Sequence, residues 1–511
     1  MSHKLSADCQ ATPATAARPR STGPRKWPRG NSLGPNELLW PARRAFLREA
    51  LCGLGGLVLA VLEGEAARAD GGRSSRSRVT DPLAPLPPPR PARAKAVIFL
   101  FMAGGPSHVD TFDPKPLLTK LDGQKRPAQF GEAKYQFVRP DARLLASRRT
   151  FRPYGQCGIE VSDLFPHTAQ CIDDIAVIRS CHGDKVVHSA AQYELFSGRT
   201  IPGFPSIGSW TVYGLGCESQ SLPAYVVMPD PDGALEAGQP MYGQGFLPAA
   251  YQPTVLRAGE QPIRNLSLPA GVDPQRRRRT FELIDALNRA ERSPEDTELA
   301  ARVAAYELAF RMQTEAPELF DLSRETQATL DLYGIGQPAT DDYGRRCLLA
   351  RRLVERGVRF VVVVSGGGPG NKQWDAHGDI EENHLRMAGE TDRPIAGLLT
   401  DLKQRGLLDT TLVWWGGEFG RSPEAQGSKG RDHHNLGFTM WLAGGGIRGG
   451  QVVGATDDIG LKAVEKPYHL RDIHTTILHL LGFEQHDLVF PHLGRDERLT
   501  LVEGKLIEEV V

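Results

Sequence analysis

The sequence predicts an α/β fold, with a central, mostly parallel β-sheet and helices on both of its faces. Continuous apolar runs recur along the chain, beginning with residues 96–102 (AVIFLFM), and such runs are typical of strands buried on both sides. Helical patterns separate several of the runs, which favours parallel pairing. The composition, with 40% hydrophobic and 24% charged residues, excludes a fibrous or wholly disordered chain.

The charge balance argues against a nucleic-acid partner. The chain has 61 basic and 61 acidic residues, so its formal net charge is zero. It has no overall field that would attract nucleic acid or an anionic membrane, and we expect no nucleic-acid partner. Seven cysteines in 511 residues are also too few for a scaffold built on disulfides.

Residues 1–69 are interpreted as an export signal of the twin-arginine type. Arg43 and Arg44 precede the apolar run 51–62 and the small-x-small sequence 67–69 (ARA). The run is too short for a bilayer span of about 20 residues. We therefore expect a periplasmic or extracellular protein without a stable transmembrane segment after cleavage. The alternative is a surface helix with a chance arginine pair.

The rest of the chain divides into a linker and one large domain. Residues 70–95, rich in Pro, Arg and Ser, are predicted to be a linker, and residues 96–505 the α/β domain. Residues 230–335 are predicted to be an insertion with loops and two helices, 281–292 and 297–322. Further strands are expected at 175–178, 224–228, 358–364, 412–415 and 439–442, and further helices at 341–356, 395–405 and 475–481.

Ligands of parallel α/β sheets gather at the carboxyl ends of the strands, so the residues that follow each strand are candidates for the site. After the first strand, Gly104 and Gly105 permit a tight turn, and Ser107, His108 and Asp110 offer a hydroxyl, an imidazole and a carboxylate. We expect these three side chains to take part in catalysis or metal binding. The alternative is that they only form turns and cap a helix.

A second set of candidate site residues follows the strand at 358–364. Asp375 and His377 lie two residues apart in a loop flanked by glycines, which suits a divalent metal. The alternative is that Asp375 only orients His377.

A third set follows the strand at 412–415. Glu418 stands between glycines, where it has no obvious packing role, and His433 and His434 come shortly before the next strand. Because adjacent side chains point in different directions, only one of these histidines is expected to be a direct ligand. Arg421 and Arg431 are candidates for an oxyanion clamp, with surface salt bridges as the alternative. Together, the three sets predict a site for a divalent metal, with Zn, Ca, Mg and Mn all open.

Four runs of the chain are distinctive: 97–114 (VIFLFMAGGPSHVDTFDP), 374–379 (WDAHGD), 416–423 (GGEFGRSP) and 430–450 (GRDHHNLGFTMWLAGGGIRGG). They resemble the DUF1501 family, and the resemblance covers about residues 95–505. It implies a branch of the alkaline phosphatase superfamily, with that superfamily's sheet and a one-metal or two-metal site that hydrolyses sulfate or phosphate esters.

The resemblance also implies roles for single residues. Sulfatases have an Asp pair where this chain has Gly104 and Gly105, so Asp110 or His108 would have to substitute for it. The other implied metal ligands are Asp375, His377, Glu418 and one residue of the pair His433 and His434.

The sulfatase nucleophile is replaced in this chain. The run 188–199 (HSAAQYELFSGR) ends like the sulfatase motif, but His188 stands at the nucleophile position and Ser189 lies one residue further on. Formylglycine chemistry is therefore not expected. His188 is a candidate phosphoacceptor, metal ligand or general acid, and Ser189 would need a base or a metal to activate it.

Two functional hypotheses follow. The first is an exported metal-dependent hydrolase of sulfate or phosphate esters, whose substrate is an anionic ester such as one on a sulfated polysaccharide. The alternative is a non-catalytic envelope protein with a degenerate alkaline phosphatase-like fold, which binds anionic glycans. The sequence leaves the oligomeric state open.

Overall fold

The apolar runs become the strands of one large sheet. The computed structural model describes residues 81–132, 135–257, 262–263, 271, 273–291, 297–368 and 372–511. In chain order the strands are Ala96–Met102 (β1), Phe151–Tyr154 (β2), Ile159–Ser162 (β3), Ile175–His182 (β4), Tyr225–Met228 (β5), Thr254–Val255 (β6), Phe360–Ser365 (β7), Thr411–Gly416 (β8), Gly420–Gln426 (β9), Gly430–His434 (β10), Phe438–Ala443 (β11), Gln451–Val453 (β12), Ala455–Thr456 (β13), Ala463–Glu465 (β14), Tyr468–His469 (β15), Phe490–His492 (β16) and Arg495–Glu497 (β17).

Helices connect many of these strands. They are His108–Thr111 (α1), Pro116–Lys120 (α2), His188–Ser197 (α3), Ile207–Leu215 (α4), Pro274–Glu291 (α5), Thr297–Phe320 (α6), Gln327–Leu332 (α7), Asp341–Glu355 (α8), Ile380–Gln404 (α9) and Leu470–Leu480 (α10). Short 3₁₀ helices lie at Ala128–Phe130, Thr168–Asp174, Gln239–Tyr242, Ala249–Tyr251 and Leu322–Arg324.

The central sheet is mostly parallel, as predicted. In the described part of the chain, its order is β12-β4-β11-β8-β1-β7-β5-β6, and β15 lies beside β4. β1 pairs in parallel with β7 and β8, and β5 does so with β6 and β7. β11 runs antiparallel to both β4 and β8, so β4 and β8 share one direction.

Both faces of the sheet are buried, which explains why the strands are apolar throughout. Alternate residues of a strand face opposite sides. Phe99 of β1 therefore lies in the core that contains Trp210 of α4 and Ile473 of α10, while its neighbour Leu100 lies in the core that contains α8 and α9. The predicted fold class, a mostly parallel sheet with helices on both faces, is confirmed.

The carboxyl ends of β4, β8, β1 and β7 meet at one edge of the sheet, because these strands run in the same direction. The loops that leave them bring the candidate residues together. One addition was not predicted: residues 420–434, where no strand was expected, form the antiparallel hairpin β9–β10.

The signal region, residues 1–69, and residues 70–80 of the predicted linker lie outside the described residues. Residues 81–95 hydrogen-bond to the domain, since the Leu86 N–H donates to the Leu215 carbonyl and the Arg93 N–H to that of Leu480. In the predicted insertion, β6 joins the sheet edge beside β5. None of the helices described here is long and apolar enough to cross a membrane. The five cysteines of the described part are all free.

Candidate metal centre

Four side chains converge at the carboxyl edge of the sheet. One potential ligand atom from each of His188, Asp375, His377 and His433 lies within 4.8 Å of all the others. Asp375 Oδ1 lies 3.0 Å from Nε2 of His377, 3.2 Å from Nε2 of His433 and 3.4 Å from Nε2 of His188. Three imidazoles and a carboxylate that share one point form a donor set that proteins use for divalent metals.

The four residues of this cluster come from three separate segments. His188 is the first residue of α3, which follows β4, and His433 lies in β10. Asp375 and His377 belong to the loop between β7 and α9. Residues 374–379 of that loop are held at both ends, because the Trp374 N–H donates to the Ala103 carbonyl at 2.8 Å and the Asp379 side chain caps α9.

The second ring nitrogen of each histidine contacts an oxygen that can only accept a hydrogen bond. Each Nδ1 atom therefore carries a proton and donates, which leaves Nε2 facing the cluster. The three contacts are His188 Nδ1 to Glu418 Oε1 at 2.7 Å, His433 Nδ1 to the Val186 carbonyl at 2.7 Å and His377 Nδ1 to Gln426 Oε1 at 2.5 Å.

The ring nitrogens that face the centre of the cluster suit a cation. The Nε2 atoms of His377 and His433 lie 2.9 Å apart, and burial lowers the pKa of His433, so that its Nε2 holds a lone pair near neutral pH. His188 Nε2 is buried without a hydrogen-bond partner. Burial lowers the pKa of His188, but the Asp375 and Glu418 carboxylates outweigh this and raise it to about 9. A divalent cation would displace that proton, and the residues fit one.

Glu418 lies beside the cluster and orients it. Its carboxylate accepts from the Gly104 N–H at 3.1 Å and from Gln192 Nε2 at 3.1 Å, as well as from His188. A Cβ atom at Gly104 would lie 2.6 Å from the Asp375 backbone nitrogen, and the φ of +103° also favours glycine. The end of β1 therefore has no room for side chains at Gly104 and Gly105.

Arg421 keeps Asp375 ionised. The guanidinium is fully buried, and Nη2 contacts Asp375 Oδ1 at 2.6 Å while Nε donates to the Gly105 carbonyl at 3.0 Å. Burial opposes ionisation, yet Arg421 and the three imidazoles hold the pKa of Asp375 well below its usual range. The N–H groups of Arg421 thus bind the Gly105 carbonyl and Asp375, and this fixes the position of the Asp375 carboxylate in the cluster.

Three other predicted site residues form a separate buried network. Ser107 Oγ donates to Asp110 Oδ2 at 2.5 Å, and Arg431 Nε donates to the same oxygen at 2.8 Å. Arg431 also donates to the carbonyls of Ser422 and Leu145, both at 3.0 Å. The structure does not bring these groups into the four-residue cluster.

Two of the predicted histidines lie elsewhere. Nε2 of His108 contacts the Gly460 carbonyl at 2.7 Å, and Nε2 of His434 contacts the Leu461 carbonyl. Burial lowers the pKa of both, that of His434 to about 3, so both rings are neutral. Because His433 and His434 are neighbours in a strand, their side chains point to opposite sides, and only His433 reaches the cluster. Ser189 is half-buried at the second position of α3.

Several residues that contribute to the cluster were not predicted from the sequence. Gln192 lies one helical turn after His188, a spacing that places both on the same face of α3, so a helical-wheel argument would have found it. Phe419 packs against the rings of His188 and His433, with centroids 4.9 and 4.7 Å away. Gln426 and Phe137 approach through long-range contacts, which no local pattern signals.

A second group, Asp184, Glu194 and His469, also has ligand-type atoms within 4.8 Å. Here Nδ1 of His469 accepts from the Arg471 N–H at 3.1 Å, so Nε2 carries the proton and lies 3.2 Å from each carboxylate. Arg471 supplies the positive charge of the group, with Nη2 3.5 Å from Asp184 Oδ2. This group is satisfied as an ion-pair network at the start of α10.

The fold and the cluster together define an α/β protein with a candidate three-histidine, one-aspartate metal site. The chain belongs to the family described as "Protein of unknown function (DUF1501)", whose sequence model matches residues 94–511. No curated protein matches the chain.

Solved structures similar to this chain include three with TM-scores near 0.3. A phosphonate monoester hydrolase from Silicibacter pomeroyi is 12% identical, with a TM-score of 0.31 over 67% of this chain and 71% of that chain. The PsFucS1 sulfatase from Pseudoalteromonas sp. is 12% identical, with 0.33 over 76% and 68%. An alkaline phosphatase from the Antarctic bacterium TAB5 is 11% identical, with 0.31 over 77% and 99%.

Proposed function

We propose that this protein is an exported, metal-dependent hydrolase of sulfate or phosphate esters. One observation carries the proposal: three imidazole Nε2 atoms and one carboxylate oxygen converge, and an acceptor fixes the opposite nitrogen of every ring. In addition, the cluster is reachable from solvent, because the side chains of His377 and Asp375 are 27% and 19% exposed.

The donor set favours a borderline cation. Imidazole nitrogens suit Zn²⁺, whereas Ca²⁺ and Mg²⁺ prefer sites built from oxygen. Of the four metals that the sequence leaves open, we therefore propose zinc. When bound, the cation stabilises the negative charge that develops on the oxygens of a sulfate or phosphate ester during cleavage.

The residues around the cation would have different roles. His188, His377, His433 and Asp375 would hold the cation, Glu418 fixes the ring of His188, and Arg421 keeps Asp375 charged. His188 is better suited to metal binding than to phosphoryl transfer, since Glu418 holds its Nδ1 and its Nε2 points at the other donor atoms of the cluster.

The test is metal removal and replacement. Protein stripped with a chelator should regain turnover of 4-nitrophenyl sulfate or 4-nitrophenyl phosphate when Zn²⁺ is added, and should bind one Zn²⁺ per cluster. His377→Ala should lose both metal and activity, while His486→Ala, at a half-exposed histidine paired with Glu503, should keep both. Absence of turnover on either ester with Zn²⁺, Mn²⁺, Mg²⁺ and Ca²⁺ in turn would contradict the hydrolase proposal.

One observation favours the non-catalytic alternative. The strand-end glycines exclude side chains where the resemblance implies an Asp pair, so the chain lacks one part of a sulfatase site. If zinc binds stoichiometrically, no ester is cleaved and an immobilised sulfated polysaccharide retains the protein, a glycan-binding role is correct instead.

Export is part of the proposal and rests on residues 1–69. A reporter protein fused behind this segment should be found outside the cytoplasm of a bacterium that has the twin-arginine pathway. Replacing Arg43 and Arg44 by lysine should leave most of the reporter inside. Equal export of both fusions would contradict the twin-arginine interpretation.

A further inference from the structure

Phe137 has a large apolar side chain that is half-exposed to solvent and lies next to the candidate metal centre. The residue is 50% exposed. The ring centroid lies 5.2 Å from that of His377, at an interplanar angle of 87°, and 6.1 Å from that of His433, at 75°. Phe137 therefore contacts two of the four cluster residues edge to face and still offers ring surface outward.

The backbone holds this ring in place. The N–H groups of Phe137 and Val138 both donate to Asp432 Oδ2, at 2.5 and 3.0 Å. Asp432 is fully buried and precedes His433 in β10, and its own Oδ1 accepts from the His433 N–H at 2.8 Å. The segment that carries Phe137 is thus tied to the strand that carries a proposed ligand.

The same loop is fixed a second time further along the chain. The Leu145 N–H donates to the Pro423 carbonyl at 2.9 Å, and the Ala425 N–H donates to the Arg143 carbonyl at 2.9 Å. These contacts attach the loop to β9, the other strand of the hairpin. Val187, which directly precedes His188, is also 48% exposed, so the cluster has apolar surface on more than one adjoining segment.

We propose that Phe137 is a specificity-determining residue that stacks on a ring in the alcohol part of the substrate. This inference rests on the proposed function and narrows its substrate class to anionic esters of ring-bearing alcohols. The apolar face of a pyranose and the face of an aryl group share this chemistry, because each buries flat apolar surface on an aromatic ring. A short aliphatic ester would leave Phe137 uncovered.

The experiment compares zinc-loaded wild type, Phe137→Ala and Phe137→Trp on 4-nitrophenyl sulfate, glucose 6-sulfate and ethyl sulfate, and on the corresponding phosphates. Loss of the ring should raise KM for the aryl or the sugar ester about 5- to 10-fold with little change in kcat, whereas Trp should preserve KM. KM for the ethyl ester should not change. Tyr306→Ala, at an exposed aromatic residue of α6, is the matched control and should behave as wild type.

A binding readout separates this proposal from the hydrolase proposal. Calorimetry with phenylphosphonate and methylphosphonate should show tighter binding of the phenyl compound to wild type and no such preference in Phe137→Ala, whether or not any ester is cleaved. A larger effect on the sugar ester than on the aryl ester would identify the natural ring as a pyranose, and the reverse an aryl group. Unchanged KM and an unchanged phosphonate preference in a folded Phe137→Ala protein would overturn the inference.

Discussion

The Glu418 carboxylate decides which nitrogen of His188 faces the metal cluster. It accepts from the Nδ1–H of that ring, and it is itself fixed by the Gly104 N–H and by Gln192. A carboxylate in this position sets the tautomer and the orientation of a ligating imidazole. Its influence on metal affinity is therefore expected to be large although it lies outside the four-residue cluster.

Glu418→Gln should weaken zinc binding about 10- to 100-fold. A glutamine keeps one acceptor oxygen but presents an NH₂ group to at least one of the three donors, so His188 loses its fixed orientation. Competition with a chromophoric chelator measures the affinity, and Glu503→Gln, at an exposed carboxylate, is the control. Equal affinities of the two variants would show that Glu418 does not orient the site.

Single residues also show where the sequence stops being informative. The acid and imidazole residues after three strands could be predicted as a group, because parallel strands end at one edge. Which of them meet could not, since His433 and His434 differ only in which side of β10 they face. Phe137 was not predicted, because its approach to His377 depends on a loop anchored by Asp432 more than 290 residues later.

At the level of elements, the central strands were predictable and the β9–β10 hairpin was not. The strands are apolar because both faces of the sheet are covered. The hairpin is buried as well, but its sequences GRSPEAQ and GRDHH are polar and charged. Their burial is possible because Arg421 finds partners on two loops and Arg431 on α1, which a local hydrophobic pattern cannot show.

The ion pair between Asp110 and Arg431 should be a main source of hairpin stability. Asp110→Ala is expected to lower the free energy of unfolding by about 3–5 kcal/mol, because it leaves a buried guanidinium without its carboxylate. Adding Arg431→Met should recover part of the loss. Urea denaturation measures both, and Glu282→Ala, in an exposed pair with Arg278, should cost less than about 1 kcal/mol.

The same variant also tests the assignment of ligands. Folded Asp110→Ala protein should retain its zinc, since Asp110 lies in the network with Ser107 and Arg431 and outside the cluster. Loss of zinc from the folded variant would return Asp110 to the ligand set that the family resemblance implies.

Across the whole molecule, buried histidines link folding to pH. Burial lowers the pKa of His384 to about 3, that of His434 to about 3 and that of His474 to about 4. In the unfolded chain these rings take up a proton near pH 6.5. Between pH 6.5 and the lowered pKa values, the unfolded state binds more protons than the folded state. The contribution of these histidines to the free energy of unfolding is therefore fully present above about pH 6.5 and is lost as the pH falls.

His474 in α10 isolates this effect, because its Nε2–H donates to the Leu195 carbonyl at 2.7 Å and it lies in the hydrophobic part of the domain, away from the proposed ligands. Its shift from 6.5 to about 4 corresponds to on the order of 3 kcal/mol lost on acidification. His474→Gln keeps a donor for Leu195 but cannot titrate. Urea denaturation of chelator-treated protein from pH 7.5 to pH 4.5 should give a shallower loss of stability for His474→Gln than for wild type, while the exposed His486→Gln should match wild type. Identical pH slopes in all three proteins would show that folding does not lower the pKa of His474.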